Sequence, residues 1–117
     1  YLARQLVGFD SERGVIGVNQ LLSHGDRMMF CRRDRVAAER DFERMLANLK
    51  DRLSGPPKGG LYYSCLARGP NLFGTGGWEA NAIRRALGEF PLTGFFCNGE
   101  ISHNRLYTFT GVLTLFA

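Results

Sequence analysis

The residues with the clearest chemical potential fall in two stretches, and the first is the glycine-rich segment "RGPNLFGTGG" at 68–77. It opens with Arg68 and ends at Gly76 and Gly77, immediately before a predicted helix. Backbone N–H groups at a helix start lack intrahelical partners and favour an anion, and an arginine can bind a carboxylate through two hydrogen bonds. The segment therefore predicts a carboxylate or phosphate site. The alternative is a connecting loop whose glycines supply positive φ angles.

The second stretch is "GFFCNGEISHN" at 94–104. The pair Asn98-Gly99 is typical of a tight turn, since glycine readily adopts left-handed geometry. Glu100 follows at the mouth of this turn, where its carboxylate can pair with an ammonium group. His103 either caps the turn or contacts a ligand.

Cys97 and His103 are residue types that form a thiol nucleophile and its base in some enzymes. Cys97, however, follows two phenylalanines in a strand that we expect to be buried, and apolar surroundings raise a thiol pKa and make the thiol inert. We therefore predict ligand binding without a catalytic residue or a cofactor. A thiol-dependent enzyme that uses Cys97 and His103 is an alternative. Ser64, at the end of the preceding strand, can donate a hydrogen bond to a ligand or to the nearby backbone.

Composition narrows the function classes. The 117 residues carry a net charge of +4, but the charges of the central helical segment alternate in sign, and no nucleic-acid motif accompanies them. The three cysteines form no CxxC pair, so we predict no metal site. Their odd number, without a signal peptide, favours a cytoplasmic setting. No apolar run approaches the roughly 20 residues of a membrane span, so we expect neither nucleic-acid nor membrane partners.

Hydrophobic periodicity predicts an α+β fold of order βββαβαββ, with a mixed, mainly antiparallel sheet of about six strands and two helices. Residues 1–117 are expected to form a single domain. One helix begins after the N-cap Asp34 and stops at Gly55; the other covers 78–90. The predicted strands cover 1–9, 15–20, 27–33, 60–67, 91–98 and 106–116. The fourth and fifth strands flank a helix, so they should run parallel and bring both chemical stretches to one edge of the sheet.

Three segments, "GLYYSCLARGPNLFG", "ALGEFPLTGFFCNGEIS" and "YTFTGVLTLF", resemble in order and spacing the C-terminal half of the FIST sensory domain. The earlier segments resemble it more loosely. The resemblance implies a sensory input domain of signal transduction proteins, bacterial ones among them, which binds a small ligand and is not catalytic. It implies amino acids as suspected ligands. It also implies two partners, the N-terminal FIST half, which this chain lacks, and signalling output domains.

Together these readings predict a site for an α-amino acid. Arg68 and the N–H groups near Gly76 and Gly77 would bind the carboxylate, and Glu100, helped by Asn98 or Ser64, would bind the ammonium group. The predicted ligand-binding residues are Arg68, Gly76, Gly77, Asn98, Glu100, Ser64 and His103. The second alternative is a protein–protein module, including a homodimer formed through an exposed edge strand.

Overall fold

The computed structural model describes residues 2–117 and divides into two compact units, residues 2–32 and residues 33–117. The first unit contains an antiparallel hairpin of β1 (Leu6–Asp10) and β2 (Val15–Val18). The Asp10 carboxylate accepts hydrogen bonds from two backbone N–H groups of the turn, and Gly14 closes it at φ 63°. The predicted hairpin is thus confirmed, although residue 1 of its first strand lies outside the described residues.

The strand predicted at 27–33 is wrong. The described residues of this segment form no strand, and Met28, Met29 and Phe30 are exposed. An apolar run becomes a strand only when a neighbouring strand pairs with its backbone groups. No described strand pairs with this one.

The second unit begins with helix α1 (Arg35–Lys50). As predicted, Asp34 caps it, because its Oδ1 accepts a 2.9 Å hydrogen bond from the backbone N–H of Ala37. The helix buries Phe42 and Leu46. It ends before the predicted stop at Gly55, because the backbone N–H groups of Arg52 and Leu53 bond to carbonyl oxygens three residues back, as in a 3₁₀ turn, and not four residues back as in an α-helix.

Strand β3 (Gly59–Cys65) is the centre of a three-stranded sheet. It pairs parallel with β4 (Leu92–Cys97) and antiparallel with β7 (Gly111–Phe116). The predicted βαβ unit is therefore confirmed. Its crossover contains two helices instead of one, the short α2 (Gly69–Phe73) and α3 (Trp78–Leu87).

The long strand predicted at 106–116 is interrupted. Phe109 has φ 61°, which no strand residue adopts, so β6 (Arg105–Tyr107) separates from β7. β6 pairs instead with β5 (Glu100–Ser102) in a small hairpin, where the sequence predicts a plain turn. The α+β class with mixed pairing is confirmed. Across residues 2–117 the count becomes seven strands in three small sheets, with three helices.

Helices α1 and α3 cover one face of the three-stranded sheet. The core between them consists of Phe42, Leu46, Tyr62, Ala82, Ile83 and Leu87. Side chains alternate along β3, so Tyr62 and Ser64 both face the helices. This alternation places two hydroxyl groups under the start of α3, where the candidate site lies.

Candidate ligand-binding cleft

The centre of the candidate site is the carboxylate of Glu79, in the first turn of α3, which is 4% exposed. Its Oε1 accepts hydrogen bonds from the Tyr62 hydroxyl at 2.6 Å and from Arg68 Nε at 2.7 Å. Its Oε2 accepts one from the Ser64 hydroxyl at 2.9 Å. A buried carboxylate is costly unless it is paired and hydrogen-bonded, and these three donors meet that requirement.

A glycine on the neighbouring strand makes room for one of these donors. A Cβ atom on Gly111 of β7 would lie 2.3 Å from the Tyr62 hydroxyl oxygen. Burial, followed by the nearby Glu79 charge, raises the pKa of Tyr62 well above its ordinary value. The phenol therefore stays protonated and keeps donating to Glu79.

Arg68 occupies a different place from the one that its sequence position suggested. Its side chain is only 14% exposed and forms an ion pair with Glu79. The guanidinium carbon lies 5.8 Å from the ring centre of Phe42 and 5.4 Å from that of Phe73, which are cation–π distances. Arg68 thus has a protein carboxylate as its partner, and its direct contact with a ligand stays a prediction.

A cleft of about 380 Å³ opens beside Glu79, between α3 and β4. Ser64, Glu79 and Arg84 contribute polar groups, whereas the aromatic side chains of Trp78 and Phe96 form apolar walls. The Arg84 side chain is 43% exposed, and its Nε lies 3.7 Å from the exposed Glu89 carboxylate. Small-molecule sites are typically concave and apolar with a few polar groups, as this cleft is.

A second buried carboxylate lies at the start of β5. Glu100 is 2% exposed; its Oε2 accepts hydrogen bonds from the Thr110 hydroxyl at 2.8 Å and the Thr110 backbone N–H at 3.3 Å. Its Oε1 lies 3.4 Å from the Cys97 sulfur, which also contacts the Ser64 carbonyl oxygen at 3.7 Å. Burial, and then the hydrogen bond to Glu100, raises the pKa of Cys97. Glu100 therefore binds protein groups and does not line the cleft.

Ser64 joins the two carboxylate networks, since its hydroxyl donates to Glu79 and its carbonyl oxygen contacts the Cys97 thiol.

Of the seven predicted site residues, Ser64 and Gly77 line the cleft. Gly77, with φ 77°, immediately precedes α3, and Gly76 is exposed beside it. Asn98 is exposed at the turn after β4. The exposed His103 has φ 56°, and its ring Nδ1 lies 3.2 Å from the Ser102 hydroxyl.

Sequence reasoning missed Glu79, Arg84 and Trp78 as site residues. One signal was available for Glu79, which precedes Ala82 and Ile83 by three and four positions. That spacing places an acidic side chain on the apolar face of a helix, where it needs buried partners.

The sequence profile of the FIST C domain matches residues 1–103, most of the chain. The chain belongs to this family. Membership associates this FIST C domain with sensory modules of signal transduction proteins. Within residues 2–117, no helix combines the length and apolar character needed to cross a bilayer.

Similar proteins are found in mycobacteria. An uncharacterised protein of Mycobacterium tuberculosis strain H37Rv is 38% identical over 120 residues, covering 99% of this chain and 31% of that protein. An uncharacterised protein of Mycobacterium bovis is 34% identical over the same shares of the two chains. The FIST C domain described here thus spans about a third of the length of these curated relatives. No solved structure matches it.

Proposed function

We propose that this FIST C domain is the ligand-binding input module of a cytoplasmic bacterial signalling protein, and that it binds a small zwitterion, an α-amino acid, in the cleft beside Glu79. The observation that carries the proposal is that a carboxylate, Glu79, and an arginine, Arg84, line the same cleft together with aromatic side chains. An amino acid needs both charges and an apolar surface for its side chain.

The ammonium group would bind at Glu79 Oε2. Among residues 2–117, that oxygen accepts one hydrogen bond, from Ser64, and a carboxylate offers about four acceptor positions in total. The ligand carboxylate would bind Arg84, whose 3.7 Å contact with the exposed Glu89 is a weak surface pair that a ligand can replace. The predicted roles of Glu100 and Arg68 thereby pass to Glu79 and Arg84, which line the cleft.

Binding without catalysis fits the arrangement around Cys97. A nucleophilic thiol needs its thiolate form, yet the pKa of Cys97 is raised and its sulfur lies beside the Glu100 carboxylate. The ring of His103 contacts Ser102 instead. We therefore assign Cys97 a structural part in holding the ends of β3 and β4 together.

Isothermal titration calorimetry with the twenty common amino acids tests the proposal. We expect at least one to bind, and we expect Glu79→Gln and Arg84→Ala to weaken that binding about tenfold or more, since each removes a charged hydrogen-bonding partner. Arg85→Ala and Glu43→Gln are matched controls outside this cleft and should bind normally. Absence of binding by any amino acid, or full binding by Glu79→Gln, would exclude this site.

A second candidate function is pairing with another protein chain. β4 forms an edge of the three-stranded sheet, and its Phe95 and Phe96 side chains are 65% and 48% exposed. An exposed strand edge can add a strand from a partner such as the FIST N-terminal half, a signalling output domain or a second copy. Light scattering across a concentration series distinguishes the last of these: a mass that doubles in wild type and not in Phe95→Lys supports a homodimer.

A further inference from the structure

Arg68 holds three helices at one point. Its Nε binds Glu79 of α3 at 2.7 Å, while its guanidinium carbon lies 5.8 Å from the Phe42 ring of α1 and 5.4 Å from the Phe73 ring of α2. Glu79 is the acidic partner in this arrangement and is also part of the cleft wall. A ligand that reaches Glu79 therefore meets a carboxylate that already has a cation.

We infer that Arg68 determines how tightly the cleft binds an ammonium group, because it competes with the ligand for the Glu79 carboxylate. This inference rests on the proposed function and names a specificity-determining residue for the same site. Two cations that share one carboxylate repel each other, so an ammonium group at Oε2 weakens the bond between Arg68 and Oε1. Arg68 thus lowers affinity for every ammonium ligand and favours those with enough further contacts to offset the competition.

The competition also reaches α2. This five-residue helix begins at Gly69, with φ 51°, and is followed by Gly74, with φ 78°, so left-handed backbone stands at both ends. Its Phe73 is fully buried, contacts the Arg68 guanidinium, and stacks on Trp78 with ring centres 4.3 Å apart and planes 8° apart. Trp78 lines the cleft. Helix α2 consequently contacts both the competing cation and an aromatic wall, and loosening of Arg68 loosens α2.

Titration with methylammonium chloride tests the competition directly. We expect Arg68→Met to bind methylammonium more tightly than wild type, on the order of tenfold, a typical size for coupling between two ligands. Glu79→Gln should bind it more weakly. If Arg68 had only a structural role, Arg68→Met would bind methylammonium more weakly than wild type, since distortion of the cleft weakens binding. Arg68→Lys keeps the competing charge and should stay near wild type, and Arg85→Met is the matched control outside the cleft.

Hydrogen exchange of wild type supplies a readout that does not depend on a variant folding. The backbone amides of Gly69 and of residues 71–74 should exchange faster with saturating methylammonium, while those of the β1–β2 hairpin in the other unit stay unchanged; Pro70 has no amide hydrogen. If circular dichroism shows that Arg68→Met is folded, methylammonium binding equal to or weaker than that of wild type overturns the inference. If Arg68→Met is unfolded, the inference is overturned when methylammonium leaves the exchange of residues 69–74 in wild type unchanged. Amino-acid binding that is lost in Glu79→Gln, yet unaltered in Arg68→Met, overturns the competition alone and leaves the proposed function standing. Binding of neither probe overturns both.

Discussion

Replacement of Gly111 by alanine tests how the Glu79 network is built. The new methyl group would lie 2.3 Å from the Tyr62 hydroxyl oxygen and 2.9 Å from Cζ of its ring. Tyr62 must move, and its 2.6 Å hydrogen bond to Glu79 is lost. A hydrogen bond to a charged group contributes about 1.5–3 kcal/mol, and overpacking costs about 1–3 kcal/mol. We therefore expect Gly111→Ala to lower the free energy of unfolding by about 4 kcal/mol.

A double-mutant cycle with Tyr62→Phe separates the two contributions. In the Tyr62→Phe background the hydroxyl is already absent, so Gly111→Ala retains only the overpacking against the ring and should cost about 2 kcal/mol. The control is Gly76→Ala: a Cβ there meets nothing within 4 Å, and the change should stay within about 0.5 kcal/mol.

Urea denaturation, followed by the fluorescence of Trp78, measures the free energy of unfolding of each of these variants. Trp78 is the one tryptophan of the sequence and belongs to the unit that contains the site. An equal cost of Gly111→Ala in both backgrounds would contradict the argument, because the hydroxyl would then play no part. A cost no larger than that of Gly76→Ala would refute the close approach itself.

Three further predictions concern cysteine reactivity, the ionisation of Tyr62 and the cap of α1. Iodoacetamide at neutral pH should label the exposed Cys31 faster than Cys97, whose pKa is raised, and mass spectrometry of the two peptides measures the ratio of the labelling rates. Glu100→Gln should speed the labelling of Cys97, because it removes a group that raises this pKa. An unchanged rate would contradict that cause. Because the pKa of Tyr62 is raised in the folded state, Tyr62 keeps its proton to higher pH there than in the unfolded state. The free energy of unfolding should therefore fall above about pH 10, and less steeply in Tyr62→Phe than in wild type. Equal slopes of this free energy against pH in the two proteins, measured by urea denaturation, would contradict the role of Tyr62. Asp34→Ala should cost about 1 kcal/mol by removing the cap of α1, whereas Asp34→Ser should cost far less.

Local signals predicted the parts of the fold that depend on neighbouring residues. The Asp34 cap and the parallel pairing of the strands at 60–67 and 91–98 followed from a capping residue and from a helix between two apolar runs. The strand at 27–33 failed because pairing requires a partner that no local pattern reveals. The short helix α2 was missed, although Pro70 in its first turn is a position where proline favours a helix start.

The site was harder to predict because its charges find their partners through the fold. Arg68 and Glu100 are both chemically conspicuous in the sequence, yet the first binds Glu79, eleven residues away, and the second binds Thr110. Whether a charged side chain faces a ligand or another side chain depends on tertiary placement. The sequence predicted two residues that line the cleft, Ser64 and Gly77, but not Glu79, Arg84 or Trp78.

The position of Ser64 between the two acids has an evolutionary and engineering consequence. The Ser64 hydroxyl donates to Glu79, and the Ser64 carbonyl oxygen contacts the Cys97 thiol, which in turn contacts Glu100. Mutations near Glu79 should therefore show epistasis with mutations near Glu100. Variants selected for a new ligand are expected to acquire compensating changes around the β5–β6 hairpin, where Glu100 lies. A library that diversifies both surroundings at once should outperform one confined to the walls of the cavity.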